Sequence, residues 1–280
     1  MREIDFDFIV EMVAKMCAEA NLTLPCDVEN SLINSLEKES SPLAKDALEK
    51  ALKNLKIARE NKLPICQDTG LVTVFCEIGE EVKICDGLLN DAINKGIATG
   101  YTNGNLRCSV VQDPLNRTNT NDNTPAIIHT KIVAGDKLKL TLMPKGAGAE
   151  NMSNIYMLAP TVAREEIVKK VVECVEAAGG CPCPPVVVGV GIGGNFEYAA
   201  FLAKKALLRA INVPNEDEYY KKLENDMLIA INKTNIGAQG FGGNITALGV
   251  NIEHFATHIA MLPLAVNISC HISRHQTIEI

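Results

Sequence analysis

The 280-residue sequence contains no tryptophan, and aromatic residues make up only 4% of it, so the core must be largely aliphatic. No apolar run reaches the roughly 18 residues that a membrane-spanning helix needs. The acidic N-terminus lacks the basic start and apolar core of a secretion signal. No long basic stripe is present, and 34 acidic residues outnumber 27 basic ones. We therefore expect a cytoplasmic protein that binds neither membranes nor nucleic acid.

Cysteine pairs of the C-x-x-C type are also missing, although the chain has ten cysteines. Their absence argues against a zinc ribbon or a thioredoxin-type site. Thiols stay reduced in the cytoplasm, so the cysteines are expected to be free for packing or for chemistry. Cys17, Cys76 and Cys174 fall within predicted helices or strands, where we expect them to pack in the core.

The periodicity of apolar residues predicts a mixed fold of helices and strands. Helices are predicted at about 3–20, 27–36, 42–61, 87–98, 160–178, 196–210 and 217–231. The helix near 87–98 is expected to end at Gly100. Strands are predicted at 71–78, 127–133, 137–143, 186–190, 246–254 and 259–268, and the second and third are expected to form a hairpin through Gly135 and Asp136. The fold class is therefore α/β (α+β), with a helical N-terminal layer, about 1–62, packed on a mixed β-sheet in a single domain, 1–280.

Several loops between these elements are candidate sites. The heptapeptide 64–70, Pro-Ile-Cys-Gln-Asp-Thr-Gly, joins a helix to a strand. The polar stretch 101–124 is interpreted as an ordered site loop. Residues 145–153 begin Lys-Gly-Ala-Gly-Ala, which indicates either a cradle for a carboxylate or phosphate or a flexible turn.

A glycine pattern at 189–194, Gly-Val-Gly-Ile-Gly-Gly, matches the G-x-G-x-x-G of dinucleotide-binding folds. Such folds carry the pattern at their first strand, with an acidic residue about 20 positions later at the end of the next strand. Here the pattern lies two thirds into the chain, and the later acidic residues open a helix instead. We expect these glycines to let the backbone pass close to an inorganic group or another ligand.

Three single cysteines, Cys66, Cys183 and Cys270, lie in loops beside proline or glycine or near the chain end. Cysteines that are far apart in sequence suit an iron–sulfur cluster held from distant loops. Three thiolates would leave one iron of a [4Fe–4S] cluster open for substrate, as a catalytic metal requires. The spacing alone leaves other trios among the ten cysteines open.

Four stretches of the chain carry a resemblance to a known family. They are the heptapeptide 64–70, Cys183-Pro-Pro with the glycines that follow, Gln239-Gly-Phe-Gly-Gly with 246–250, and Thr257-His-Ile-Ala with Cys270-His271. Together they resemble the class I (iron–sulfur) fumarate hydratases, in particular the α subunit of the two-subunit fumarase and L-tartrate dehydratase group. The resemblance extends over nearly the whole chain.

The resemblance implies a set of site residues and a cofactor. Cys66, Cys183 and Cys270 would bind a [4Fe–4S] cluster whose open iron acts as a Lewis acid. The substrate-binding residues would be Gln67, Arg107 and Gly148, and the catalytic residues would be Asp68 and His258. Cys181 is expected to be a bystander. The unassigned histidines are expected to pack or hydrogen-bond, and His271 either does the same or supports the cluster.

The implied reaction is the reversible hydration of fumarate to L-malate, a step of the tricarboxylic acid cycle. L-tartrate dehydratase and mesaconate hydratase activities are the alternatives within the class. The family assigns the general base to a threonine in a C-terminal portion that this chain does not contain, so the resemblance implies a separate β subunit and a hetero-oligomer such as α2β2. There are two alternatives of other classes. One is a non-catalytic iron–sulfur sensor, and the other is a nucleotide-binding enzyme that uses the glycines at 189–194.

Overall fold

Helices and strands alternate along the whole chain, which the computed structural model describes from residue 1 to residue 280. This confirms the predicted mixed α/β class. The chain divides into two units: Met1–Leu24, Leu55–Ala147 and Arg274–Ile280 form unit 1, and Pro25–Asn54 and Gly148–Ser273 form unit 2. The single domain expected from the sequence stays a prediction. None of the helices has both the length and the apolar character needed to cross a membrane.

The helices and strands are labelled in chain order. They are β1 (Arg2–Asp5), α1 (Phe6–Leu22), α2 (Cys26–Lys38), α3 (Pro42–Asn61), β2 (Leu71–Gly79), β3 (Val82–Cys85), α4 (Leu89–Asn103), β4 (Ile127–Val133), β5 (Leu138–Lys145), α5 (Ala147–Glu150), β6 (Asn154–Leu158), α6 (Arg164–Ala178), β7 (Val186–Gly194), α7 (Phe196–Ala206), α8 (Glu218–Asn232), β8 (Ala247–Thr257), β9 (Leu262–Ser269) and β10 (Gln276–Glu279). The three helices predicted in the first 62 residues are confirmed. Helix α1 belongs to unit 1 and α2 to unit 2, and the helical N-terminal layer stays a prediction.

Unit 1 is built on a four-stranded mixed sheet in the order β10-β5-β2-β4, and a separate parallel pair joins β1 to β3. Helices α1 and α4 pack together, and α1 also contacts β5. The sequence predicted that α4 ends near Gly100, but the helix continues to Asn103. Gly100 is buried at the contact with α1, where a Cβ would lie 2.7 Å from the carbonyl oxygen of Ala14. This glycine lets the two helices approach and does not end the helix.

The predicted hairpin between β4 and β5 is wrong. Both strands pair with β2 instead, β4 in parallel and β5 antiparallel, so β2 lies between them. The end of β2 also occupies the turn that the hairpin would use: Gly79 N–H donates to the Lys137 carbonyl at 2.8 Å, and Glu80 N–H donates to the Val133 carbonyl at 2.8 Å. Gly79 is required there, because a Cβ would lie 2.2 Å from the Gly135 carbonyl oxygen.

Unit 2 contains a four-stranded mixed sheet in the order β6-β9-β7-β8. Successive side chains of a strand face opposite sides of the sheet. On one side, Val186, Val188 and Val190 join the apolar core formed with α6 and α8. On the other side, Gly189 and Gly191 face α7, and a Cβ at either position would lie 2.1 Å from a carbonyl oxygen of that helix. These glycines therefore admit α7, and the expectation that they admit a ligand is wrong.

Candidate active site

The loop 64–70 in unit 1 holds Asp68 in a defined orientation. The backbone N–H of Asp68 donates to the Sγ of Cys66 at 3.4 Å. One carboxylate oxygen of Asp68 accepts the N–H of Gly70 at 3.0 Å, and the other accepts the N–H of Ala147 at 2.9 Å. Asp68 and Cys66 are half-buried, and Gln67 is exposed. Both oxygens of the carboxylate are thus fixed by the backbone.

Two buried side chains support this loop from beneath. The guanidinium Nη2 of Arg274 donates to the carbonyl oxygen of Asp68 at 2.9 Å. The hydroxyl of Tyr101 donates to the carbonyl oxygen of Thr69 at 2.6 Å. Burial, the largest cause, raises the pKa of Tyr101, so the phenol keeps its proton and remains a donor. Sequence reasoning missed both residues, because nothing in their local sequence marks a contact with residues so far along the chain.

Arg107 lies beside the same loop. The hydroxyl of Thr69 donates to the carbonyl oxygen of Arg107 at 2.9 Å, while the Arg107 residue is exposed. Gly70, with φ of +80°, lies on the backbone of Lys145, and a Cβ there would lie 2.6 Å from the Lys145 nitrogen. Unit 1 therefore brings together Cys66, Gln67, Asp68 and Arg107, and it places the first residues of the 145–153 segment against them.

In unit 2, Cys183 lies in the short loop that precedes β7. Cys183 is exposed, and its backbone N–H donates to the Gly180 carbonyl at 3.1 Å. Gly148 lies near this loop, because a Cβ on Gly148 would lie 3.6 Å from the carbonyl oxygen of Cys181. Cys270 directly follows β9, and its neighbour His271 donates a backbone N–H to the Cys183 carbonyl at 3.3 Å. The two cysteine loops are therefore in direct contact.

The glycine-rich segment 237–245 lies against the Cys183 loop and is anchored by Glu39. The buried carboxylate of Glu39 accepts backbone N–H groups from Asn244 at 2.9 Å and from Ile245 at 3.2 Å. It also accepts those of Ser40 at 2.8 Å and Ser41 at 2.9 Å. Burial alone would raise the pKa of Glu39, but the four backbone donors outweigh it, and the pKa is lowered.

We expect Glu39→Gln to destabilise the folded chain in a pH-dependent way. Because the pKa of Glu39 is lower in the folded state than its usual 4.5, the stabilisation is present above that value and is lost as the pH falls through the folded-state pKa. At pH 7 the glutamine variant should have a free energy of unfolding about 2–3 kcal/mol lower than the wild type, because the four backbone N–H donors lose a charged acceptor. Urea unfolding from pH 7 to pH 3 measures the difference, which should shrink below about pH 4.5.

The matched control for this variant is Glu37→Gln, two residues earlier at an exposed position in the last turn of α2. It should leave the free energy of unfolding nearly unchanged at every pH. A difference between wild type and Glu39→Gln that stays constant across the pH range would contradict the role assigned to the carboxylate charge.

His258 lies in the connection between β8 and β9. Its Nδ1 accepts the N–H of Ala260 at 3.1 Å, so the proton of the neutral ring is on Nε2, and the residue is exposed. Thr257 donates to the carbonyl of Gly194 at the far end of β7. The seven residue steps from Val187 to Gly194 span roughly 23 Å at the usual rise of a strand. Unit 2 therefore does not bring His258 close to Cys183 or Cys270.

The ten cysteines are all thiols, and they differ sharply in burial. Cys17, Cys76 and Cys174 are buried in the apolar cores, which confirms the packing role predicted for them. Burial raises the pKa of Cys17 to about 12 and that of Cys76 to about 11, so neither forms a thiolate readily.

The three cysteines of the predicted cluster are half-buried or exposed, and the Sγ of Cys66 accepts a backbone N–H. Their donor chemistry fits an iron–sulfur cluster. Cys66 belongs to unit 1 and the other two to unit 2. Within each unit, no three His, Cys, Asp or Glu side chains form a group that could hold a metal ion. The assignment of Cys66, Cys183 and Cys270 as cluster ligands stays a prediction.

Comparison with known proteins gives matches over nearly the full length of the chain. A family model for fumarate hydratase (fumerase) matches residues 10–279. A Methanocaldococcus jannaschii protein described as "Putative L(+)-tartrate dehydratase subunit alpha" is 41% identical over 268 residues, which cover 94% of each chain. The L(+)-tartrate dehydratase subunit alpha of Escherichia coli strain UTI89 is 29% identical over 275 residues, which cover 97% of this chain and 90% of the relative. The chain belongs to the fumarate hydratase family.

The family match confirms the resemblance that the motifs of the sequence predicted. It assigns the chain to the hydro-lyases, enzymes that add or remove water, and to a family of class I fumarases that use an iron–sulfur cluster. The relatives are named for L-tartrate, whereas the sequence analysis favoured fumarate.

Proposed function

We propose that this chain is the α subunit of an iron–sulfur hydro-lyase that dehydrates L-tartrate to oxaloacetate. The observation that carries the proposal is the match to the M. jannaschii relative at 41% identity over 94% of both chains. The E. coli relative, at 29% identity, bears the same substrate in its name. The names of the relatives therefore favour tartrate over the fumarate that central metabolism alone would suggest.

In this proposal Cys66, Cys183 and Cys270 hold a [4Fe–4S] cluster, which supplies a Lewis acid for the leaving hydroxyl group when it is bound. The contact from the Asp68 N–H to the Cys66 Sγ supports this role, since the sulfurs of protein-bound clusters commonly accept hydrogen bonds. The backbone contact between His271 and Cys183 supports a common task for Cys183 and Cys270.

Asp68 is the proposed catalytic carboxylate. Each of its oxygens accepts one backbone N–H, and a carboxylate oxygen has a second lone pair for a further donor. The group can therefore accept a proton or a substrate hydroxyl without reorienting. The backbone carbonyl of Arg107 accepts the hydroxyl of the next residue, Thr69, and an arginine side chain binds carboxylates with two parallel hydrogen bonds. Gln67 and the backbone of Gly148 are proposed as further contacts to the dicarboxylate, and His258 stays a prediction.

A separate β subunit is proposed as the partner that completes the active site. The relatives named above are alpha subunits, which supports a two-chain enzyme. The α2β2 assembly and the cytoplasmic location remain predictions. The second candidate function is the hydration of fumarate to L-malate, which the description of the matching family favours. The exposed Arg107, whose backbone contacts the loop of Asp68 through Thr69, favours catalysis over iron sensing, because a sensor needs no dicarboxylate contact.

The test is an anaerobic assay of the chain co-expressed with the β subunit from the same source. We expect kcat/KM for L-tartrate to exceed that for L-malate by about tenfold or more, and we expect no turnover by the single chain. D-tartrate, which carries the same groups with opposite handedness, is the matched control and should not react. A preference for fumarate and malate would replace tartrate with the second candidate. Full turnover by the single chain would contradict the need for a β subunit.

A further inference from the structure

The backbone of the Cys183 loop has an unusual conformation. Cys183 has φ of +54°, in the left-handed region that residues other than glycine seldom adopt. Gln239, in the glycine-rich segment that lies against this loop, has φ of +54° as well. Such conformations persist only where the surrounding structure holds them, and they occur often at functional sites. We therefore asked which groups hold Cys183 in place.

Gln239 holds the residue that follows Cys183. The carbonyl oxygen of Pro184 accepts two hydrogen bonds from this one residue: the backbone N–H of Gln239 donates at 2.7 Å, and its side-chain Nε2 donates at 3.0 Å. The approach is possible because the next residue is glycine. A Cβ on Gly240 would lie 2.9 Å from the Cα of Gly180.

His271 holds the carbonyl group of Cys183 itself. Its backbone N–H donates to that oxygen at 3.3 Å, and its Nδ1 lies 3.0 Å from the same oxygen. A carbonyl oxygen can only accept, so this contact places the proton of the neutral ring on Nδ1. With its proton there, Nδ1 cannot accept from the Nε2 of Gln239, which lies 3.3 Å away and donates to the Pro184 carbonyl instead. The two side chains therefore form one cluster around two consecutive carbonyl groups.

We propose that Gln239 and His271 are positioning residues that fix the thiol of Cys183 for the iron–sulfur cluster, and that His271 couples its position to that of Cys270. This inference rests on the proposed function for its cluster. Four donors from two residues hold the carbonyls of Cys183 and Pro184, which fixes the loop on both sides of the Cα of Cys183. Groups that orient a metal ligand in this way commonly raise metal affinity 10- to 100-fold.

The first test measures hydrogen exchange of the full chain without a cluster. Gln239→Met keeps the size of the side chain but removes its donor, and His271→Leu removes the Nδ1 donor. Each variant should increase the exchange rates of the Cys183 and His271 amides about tenfold. Losing one hydrogen bond shifts the equilibrium for local opening by about that factor. The amides within β7 should exchange as in the wild type. His271→Asn, whose amide can donate near the Nδ1 position, should restore the slow exchange.

The second test measures iron release to a chelator after anaerobic reconstitution with iron and sulfide. We expect release from Gln239→Met and His271→Leu to be about 10- to 100-fold faster than from the wild type, with His271→Asn close to the wild type. The control is His254→Asn, a histidine of the same unit that stacks on Tyr220 with ring centroids 4.0 Å apart. It should change neither exchange nor release.

Unchanged exchange in both variants would overturn the inference, and so would unchanged iron release from chains that exchange faster. A His271→Asn chain that behaves like His271→Leu would overturn the role of the Nδ1 donor. Failure of the wild-type chain to take up iron would overturn the proposed function instead. The exchange rates would then still decide whether these two residues position Cys183.

Discussion

Replacing Asp68 with asparagine is expected to lower kcat of the complex with the β subunit by about 10²- to 10⁴-fold, the range that a positioned acid or base contributes. The substitution removes the negative charge that accepts a proton, while the side chain keeps its size. Both carboxylate oxygens accept backbone N–H groups, so the NH2 group of the asparagine would point at a backbone N–H, and two donors would meet. We therefore expect a modest loss of stability beside the large loss of activity, and thermal unfolding separates the two effects.

Asp5→Asn is the matched control. The carboxylate of Asp5 likewise accepts a backbone N–H, that of Phe8 at 3.0 Å, at the start of α1 in the same unit. We expect a similar modest loss of stability in this variant with kcat nearly unchanged. An Asp68→Asn enzyme with kcat near the wild-type value would contradict the catalytic role of Asp68.

Gly191→Ala is expected to destabilise the chain strongly. The added Cβ would lie 2.1 Å from the carbonyl oxygen of Ala199 and 2.6 Å from the backbone nitrogen of Ala203. Both are backbone atoms of α7, so the clash is relieved only if the helix moves off β7. We expect a loss of about 3 kcal/mol, the upper end for overpacking, and a fall in Tm of about 6 °C or more.

Gly180→Ala provides the control for this prediction. The nearest atom to its Cβ would be the Cα of Gly240 at 3.4 Å, which is an ordinary contact. Thermal unfolding should show almost no change in Tm for this variant. A Gly191→Ala chain with the Tm of the wild type would contradict the close packing of α7 on β7.

The sequence identified most helices and the longer strands, because their apolar periodicity is a local property. It missed the strands β1, β3, β6 and β10, which have only four or five residues each and too few positions to show a pattern. The sequence also did not predict correctly which strands pair. Residues 127–143 have the alternation and the Gly-Asp turn of a hairpin, but β2 pairs with both strands and occupies the turn.

Glycines show the same limit, because the sequence does not say what a missing side chain makes room for. Gly100 was expected to end a helix, and it makes room for α1. The glycines at 189–194 were expected to make room for a ligand, and Gly189 and Gly191 make room for α7. In each case the neighbouring backbone belongs to another element, so only the folded chain reveals it.

The roles of the site residues stay predictions, because they rest on the family resemblance that the motifs carry. The loop of Cys66, Gln67 and Asp68 and its contact with Arg107 hold together in unit 1. The residues that support the site were not found. Arg274, Tyr101 and Glu39 act through carbonyl and N–H groups of the backbone, and such contacts leave no pattern in the local sequence.

The most direct test of the proposed function is the iron content of the chain after anaerobic reconstitution with iron and sulfide, with the visible spectrum recorded in the presence and absence of L-tartrate. We predict about four irons per chain and a spectral change on adding L-tartrate, both lost in Cys183→Ala. Cys181→Ala, an exposed cysteine two residues away, should keep both. Two results would contradict the account: no iron uptake by the wild type, or alanine variants of Cys66, Cys183 and Cys270 that take up as much iron as the wild type.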